Sequence, residues 1–450
     1  MMKKRDYRPK IHFSPEEGWM NDPNGMVYVD GVYHFFYQKY PYDTSWGPMH
    51  WGHATSRDLI HWEHQPIALY PDELGFIFSG SAVYDTQNSS EYGTNENPPI
   101  IAIYTSHHKD GLEQQSIAYS NDKGRHFEKS YLNPVIKNPG ISDFRDPKAF
   151  WNPVRRCWSL VLAAQDRVFF YASQDMKNWE KTGEFGPEGN HVKGVWECPD
   201  LFEIDGQQIM TCCPQGVDQK GYDYQNVYQC GYFPVEFDLK NKSYSFGKFQ
   251  EFDKGFDIYA TQTFADEAGR RILIGWMGIP DADYDNDATV AYDWIHALTM
   301  PRELEWKDGK ILQHPLKEMK DLRKNAFTCE LEAFTKWAPA DCCFELRLDV
   351  EEAKNLELKL REDVTISWKD GLFTLSMGES GRGRKQRFAK VEELSDITIF
   401  SDTSAIEIFI NNGETVLTTR VYSEHLEQKV ELVSREVKGS VHGYELGSFE

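Results

Sequence analysis

The chain has 450 residues, 71 of them acidic and 49 basic, for a formal net charge of −22; 40% are hydrophobic and 14% aromatic. That length exceeds a single core and predicts two domains, while an acidic excess without a basic stripe excludes a nucleic-acid binder. No run approaches the ~20 apolar residues of a membrane span, which excludes a membrane role.

The first residues, MMKKRDYRPKIHFSPEEGW, are basic but lead into no apolar stretch, which predicts a cytoplasmic protein. GWMNDPNG (18–25) follows, and its Asn, Asp, Pro and Gly read as a turn. VDGVYHFFY (29–37) reads as a tight hairpin around Asp30-Gly31. In HWGH (50–53), His50 and His53 have no third ligand at plausible spacing, so no metal site is expected. ATSRDLIHWE (54–63), AYSNDKGRHFE (118–128) and YASQDMKNWE (171–180) share Ser-x-Asp, then an aromatic followed by Glu, each after a short apolar strand. Their starts are about 50 to 65 residues apart, the length of a four-stranded propeller blade with its connections. Helical periodicity is scarce before residue 314, and strand-rich stretches flank the three copies, which together predict five blades.

LKEMKDLRKNA (316–326) predicts a short charged helix, read as a linker over 315–326. Beyond it alternation resumes. In SAIEIFINNGETVLTTRVY, Ile406, Ile408 and Ile410 point one way and Asn412-Gly413 makes a hairpin turn. The predicted fold is therefore all-β: a five-bladed β-propeller over 1–314, the linker, and a β-sandwich over 327–450. The short basic run GRGRKQR (381–387) reads as a solvated loop. Eight cysteines, two pairs of them adjacent (212–213 and 342–343) and none in C-x-x-C, form neither a disulfide framework nor a zinc ribbon. They read as buried small side chains of a reduced protein.

Nucleotide loops, zinc-protease helices and serine elbows are absent. What stands out is acids beside prolines among bulky apolar residues: Asp22 in WMNDPNG, Asp146 in DFRDPKAFW and Glu197 in VWECPDLF. Proline restrains the local backbone, so each carboxylate is held. Apolar neighbours raise a carboxyl pKa and suit it to proton donation, whereas Arg145 beside Asp146 is expected to keep that acid ionised. Each acid alone is equally a turn cap. Equivalent segments of successive blades converge on a propeller's channel, however, and two carboxylates flanking a bond are the minimal equipment for glycoside hydrolysis.

WMNDPNG, FSGSA, FRDPK, WECPD and MPREL, in that order, resemble glycoside hydrolase family 32, the β-fructofuranosidases, and the likeness runs from about residue 10 to the end. The resemblance implies a five-bladed propeller with a C-terminal sandwich and a two-step retaining mechanism. It implies Asp22 as nucleophile, Glu197 as acid/base and Asp146 as the residue that grips fructose hydroxyls in the transition state. It also implies that Asn21, Gln38, Trp46, Phe78, Ser79, Arg145, Tyr259 and Trp276 line a fructose pocket, and that neither metal nor organic cofactor is needed. CCPQGVDQKGYDYQNVYQCGYF resembles most the family's sucrose-6-phosphate hydrolase branch. The implied partner is a small sugar: sucrose 6-phosphate, sucrose or a short fructan. A fructosyltransferase of the same architecture and a sugar-binding lectin are the competing expectations.

Overall fold

A computed structural model describes residues 6–186, 192–238, 243–424, 429–434 and 436–448. The basic start at 1–5, used above in reading the N-terminus, lies outside them.

Short alternating strands pair with their neighbours in sequence, so the chain lays down one antiparallel sheet after another. Five sheets of four or five strands come first among the described residues. Their leading strands are Gly18–Val29, Phe76–Tyr84, Phe144–Asn152, Val192–Ile204 and Tyr259–Ala265. Each leading strand touches the leading strand of the next sheet, and the fifth touches the first. That ring is a five-bladed propeller. The hairpin read at Asp30-Gly31 joins the first two strands, with both residues at positive φ (48° and 87°) as a two-residue turn of this hand requires. The three Ser-x-Asp copies occupy one structural position, the turn between the third and fourth strands of blades one, two and three. Ser56, Ser120 and Ser173 each donate to the Asp two residues on, and those carboxylates accept the following backbone N–H groups.

The ring closes through a detour. After its second strand, Arg271–Trp276, the fifth blade sends Trp294–Ile295 across to pair in parallel with Gly18 and Trp19. Only then does the chain return to lay down Arg302–Lys307 and Lys310–Pro315.

Two six-stranded sheets follow and pack face to face as a sandwich. Ile406, Ile408 and Ile410 enter its core as expected, while Phe409, between them, joins the propeller's largest cluster. The helix expected over 316–326 shrinks to a 3-10 helix over Lys317–Leu322, and Arg323–Glu330 is already a strand paired with Val437–Leu446. Met319 and Leu322, three residues apart and both buried, suit the 3-10 period. The rest of that charged stretch gains more from ladder pairing than an isolated short helix offers.

The basic run at 381–387 is solvated only in part: Arg382, Lys385 and Gln386 are exposed. Arg384 is 1% exposed and paired through Nε and Nη2 with Asp257 at 2.7 Å. Arg382 pairs with Asp285 and Arg387 with Asn226. The run lies against the propeller, where carboxylates take up the Arg382 and Arg384 guanidinium groups and an amide oxygen takes up that of Arg387. A second seam is wholly buried. Arg302, from MPREL, reaches Glu407 at 2.7 Å, Asp253 at 3.2 Å and Thr418 at 2.6 Å, and His12 bonds both Asp402 and Glu407. Arg302→Met strands two buried carboxylates; a loss of about 3–5 kcal/mol is expected, read as a lower denaturation midpoint. An unchanged midpoint refutes the seam's role.

Candidate active site

Every leading strand carries a β-bulge. The pairing register slips between Met20 and Pro23, Ile77 and Gly80, Arg145 and Lys148, Glu197 and Asp200, and Tyr259 and Gln262. A bulge re-aims side chains and tolerates proline, which gives no N–H to a ladder. The segments read from sequence as Pro-rich turns are therefore bulges inside strands. Turn residues suit them because a bulge asks for turn-like backbone angles: Asp146, Cys198 and Ala260 stand at φ 64°, 49° and 49°.

The bulges bring Asp22, Asp146 and Glu197 together with Asn21, Gln38, Trp46, Phe78, Ser79, Arg145, Tyr259 and Trp276. All of them line one cavity of about 850 Å3. Trp46 is half exposed at its mouth, whereas Asp146, Tyr259 and Trp276 are at most 5% exposed. Cys198 marks the centre: its Sγ lies 3.7 Å from Asp22 Oδ2 and 3.6 Å from Asp146 Oδ2, and Glu197 precedes it in sequence.

Each acid has its own setting. Asp22 accepts from Asn21 Nδ2 at 2.9 Å and from Ser79 Oγ at 2.6 Å, and Trp19 Nε1 in turn holds Asn21 Oδ1 at 2.8 Å. Glu197 accepts from Arg145 Nη2 and Gln215 Nε2, both at 2.8 Å. The Tyr259 hydroxyl lies 2.7 Å from Glu197 Oε2 and 3.0 Å from the Cys213 carbonyl oxygen, so its single hydrogen can serve either. Asp146 Oδ2 accepts from the Cys198 backbone N–H at 2.9 Å.

Burial raises the Asp22 carboxyl, the donors Ser79 and Asn21 oppose it, and the negative charge of Glu197 adds to the rise. Asp146 is pushed up to about 7 by burial, which outweighs Arg145. Arg145 lowers it, as expected, without holding it in the ordinary carboxylate range, and the geometry says why. The guanidinium turns its hydrogens to Glu197, Asp143 and Glu113 instead.

Several lining residues escaped the sequence reading, Glu113, Asp143, His107, His296 and the segment 279–287, and so did Gln215, which bonds Glu197. Gln215 stands in CCPQG, and only its pairing with the Glu197 strand gives it meaning. Trp19 also lines the cavity.

Residues 12–315 match the glycosyl hydrolases family 32 N-terminal domain, and residues 316–446 the glycosyl hydrolases family 32 C terminal domain. A levanase of Bacillus subtilis (strain 168) is 38% identical, across 95% of this chain and 68% of its own. A sucrose-6-phosphate hydrolase of the same organism is 33% identical, across 92% of this chain and 89% of its own. Among solved structures, a GH32 beta-fructofuranosidase of Bombyx mori superposes with a TM-score of 0.87 at 34% identity, covering 99% of this chain and 95% of that one. A sucrose-6-phosphate hydrolase from Lactobacillus gasseri superposes with a TM-score of 0.88 at 28% identity, covering 99% and 94%.

The raised Asp146 predicts a stability signature. An unfolded Asp ionises near ~3.9. As pH climbs from about 4 to about 7 the unfolded chain gives up this proton before the folded one, so folding loses stability, and the cost is complete above 7. Asp146→Asn should raise the melting temperature by several degrees at pH 8, with the gain vanishing toward pH 4. A gain independent of pH refutes the assignment.

Proposed function

Because the chain belongs to glycosyl hydrolase family 32, we propose that it releases β-fructofuranosyl groups by double displacement. Asp22 attacks the anomeric carbon while Glu197 protonates the leaving oxygen. The glycosidic C–O bond breaks, a bond to the Asp22 oxygen forms, and the alcohol leaves with the Glu197 proton. Water then gives its proton to Glu197, its oxygen bonds the anomeric carbon, and Asp22 is freed. Asp146 holds fructose hydroxyls. The observation that carries this reading is that three acids from three blades line one cavity, with Asp22 and Asp146 both against the Cys198 sulfur.

The partners of Glu197 fit its two duties. When Glu197 is ionised, the Tyr259 hydrogen supports it. When it carries the proton, that hydrogen can turn to the Cys213 carbonyl. Asn21 and Ser79 keep Asp22 aimed, with no rotamer left to order at reaction.

The leaving-group side supports neutral sugars, sucrose or short fructans, over a phosphorylated one. Besides the three acids, Glu113, Asp143, Asp281, Asp285 and Asp287 line the cavity, and Arg145 is the one Lys or Arg among its described lining residues. That guanidinium is already shared among carboxylates. A phosphate on the glucosyl group meets repulsion there. A reducing compartment, the cytoplasm, fits the eight free thiols, of which Cys213 and Cys230 stand 3.1 Å apart between sulfurs and unbridged.

Asp22→Asn should lower kcat on sucrose by about a thousandfold or more. Glu197→Gln should lower it ~10²–10⁴-fold on sucrose, but far less on an aryl β-fructofuranoside, whose leaving group needs no proton. Full activity in Asp22→Asn overturns the mechanism. For selectivity, kcat/KM on sucrose or a short levan should exceed that on sucrose 6-phosphate by about tenfold, a gap that added salt narrows. A preference for the phosphorylated sugar refutes the charge argument.

A further inference from the structure

One buried imidazole on the cavity wall lacks a role in the chemistry above. His296 follows directly on Trp294–Ile295, the segment that closes the ring. It is 6% exposed, stands at φ 75° and lines the cavity. A β-carbon in that backbone region is strained and needs its surroundings to hold it there. Its ring meets Trp19 and Trp276 edge to face, at 4.4 and 5.0 Å between centroids. Its Nε2 has no hydrogen-bond partner among the described residues, and neither has the neighbouring Trp276 Nε1. A buried ring nitrogen without a protein partner, on a residue that lines the cavity, points to a ligand that supplies an acceptor.

The other ring nitrogen fixes which atom carries the proton. Asn286 Oδ1 accepts from Arg384 Nη2 at 2.7 Å and from the Tyr422 hydroxyl at 2.9 Å. Two such donors can only face the amide oxygen, so the amide NH2 faces His296 Nδ1, at 3.4 Å. An NH2 group donates and does not accept. Nδ1 is then the bare nitrogen and Nε2 carries the hydrogen. Burial, with Arg420 and Arg384 nearby, holds the ring neutral. Arg384 and Tyr422 both belong to the sandwich, and Arg384 is anchored on Asp257 of the propeller.

We propose that His296 is a substrate-binding residue whose Nε2–H donates to a hydroxyl oxygen of the bound sugar, and that the sandwich sets its tautomer through Arg384, Tyr422 and Asn286. These last three are positioning residues. The proposal rests on the cavity being the fructosyl-transfer site. It gives the second domain a part in recognition beyond packing. The ligand class is a neutral polyol, since the N–H needs an acceptor oxygen, a cation meets its hydrogen, and the carboxylates lining the cavity repel an anion.

Steady-state kinetics on sucrose, thermal melts and imidazole 15N spectra of the full chain test it. His296→Ala should raise KM roughly tenfold with kcat changed little, the loss of one neutral hydrogen bond. His296→Gln, whose amide can put an N–H near the Nε2 position, should recover most of that loss. Asn286→Asp turns the partner of Nδ1 into an acceptor. The proton should then move from Nε2 to Nδ1 in the 15N spectrum, and KM should rise as in His296→Ala at an unchanged melting temperature. An unchanged KM in His296→Ala overturns the proposal. So does a KM that moves only with the melting temperature and is not recovered by Gln, or an Asn286→Asp spectrum with the proton still on Nε2. Asp22→Asn run alongside separates the two readings: if it stays active, the site reading has failed, and if it is inactive while His296→Ala binds normally, only the present inference has.

Discussion

Carboxylates gathered out of water repel one another and lose hydration, so they stay together only where the backbone prevents them from parting. The rest of this structure answers that constraint. Five bulged strands stand around one axis, and three bulges deliver an acid. The left-handed backbone at Asp146 and Cys198 shows that local geometry has been forced. Donors then meet each acid in unequal number. Asp22 has two side-chain donors, Glu197 has a guanidinium, an amide and a phenol, and Asp146 has one backbone N–H beside a thiol. Three chemically identical groups are thereby made different, which a displacement reaction with separate nucleophile and proton donor needs.

The second domain joins in through charge. The propeller's acidic edge at Asp257 and Asp285 takes up the basic run of the sandwich, and Arg302 ties Glu407 to Asp253 beneath. These contacts are buried ion pairs, which add less net stability than an apolar seam of equal area but tolerate little sliding. A seam of that kind suits a site whose wall, at Asn286, is held from the other domain.

Much of this was legible beforehand because the chemistry is local. Asp-Pro and Cys-Pro segments announce restrained acids, and Ser-x-Asp announces the same turn in three blades. The bulges were not legible, since turn and bulge ask for the same residues and differ only in whether a partner strand runs alongside. The linker misled because a charged stretch of good helix formers becomes a strand once Val437–Leu446 offers it an edge, more than a hundred residues later in the chain. Arg384 looked solvated because its partner, Asp257, lies 127 residues away. His296 carries no motif, and Gln215 has no role readable from its stretch; their neighbours, not their sequence, give them a place.

The closing segment bears on how the molecule comes into being. Among the described residues, Gly18–Val29 has its second edge covered only by Trp294–Ile295. Until that point of the chain has been made, a nascent propeller carries an open strand edge, the kind that pairs with strangers. The ring is sealed from inside the last blade, before its outer strands exist. Synthesis thus passes through a long interval in which all three cavity acids, Asp22, Asp146 and Glu197, are already present, while the wall bearing His296 and the anchor from the sandwich are still to come.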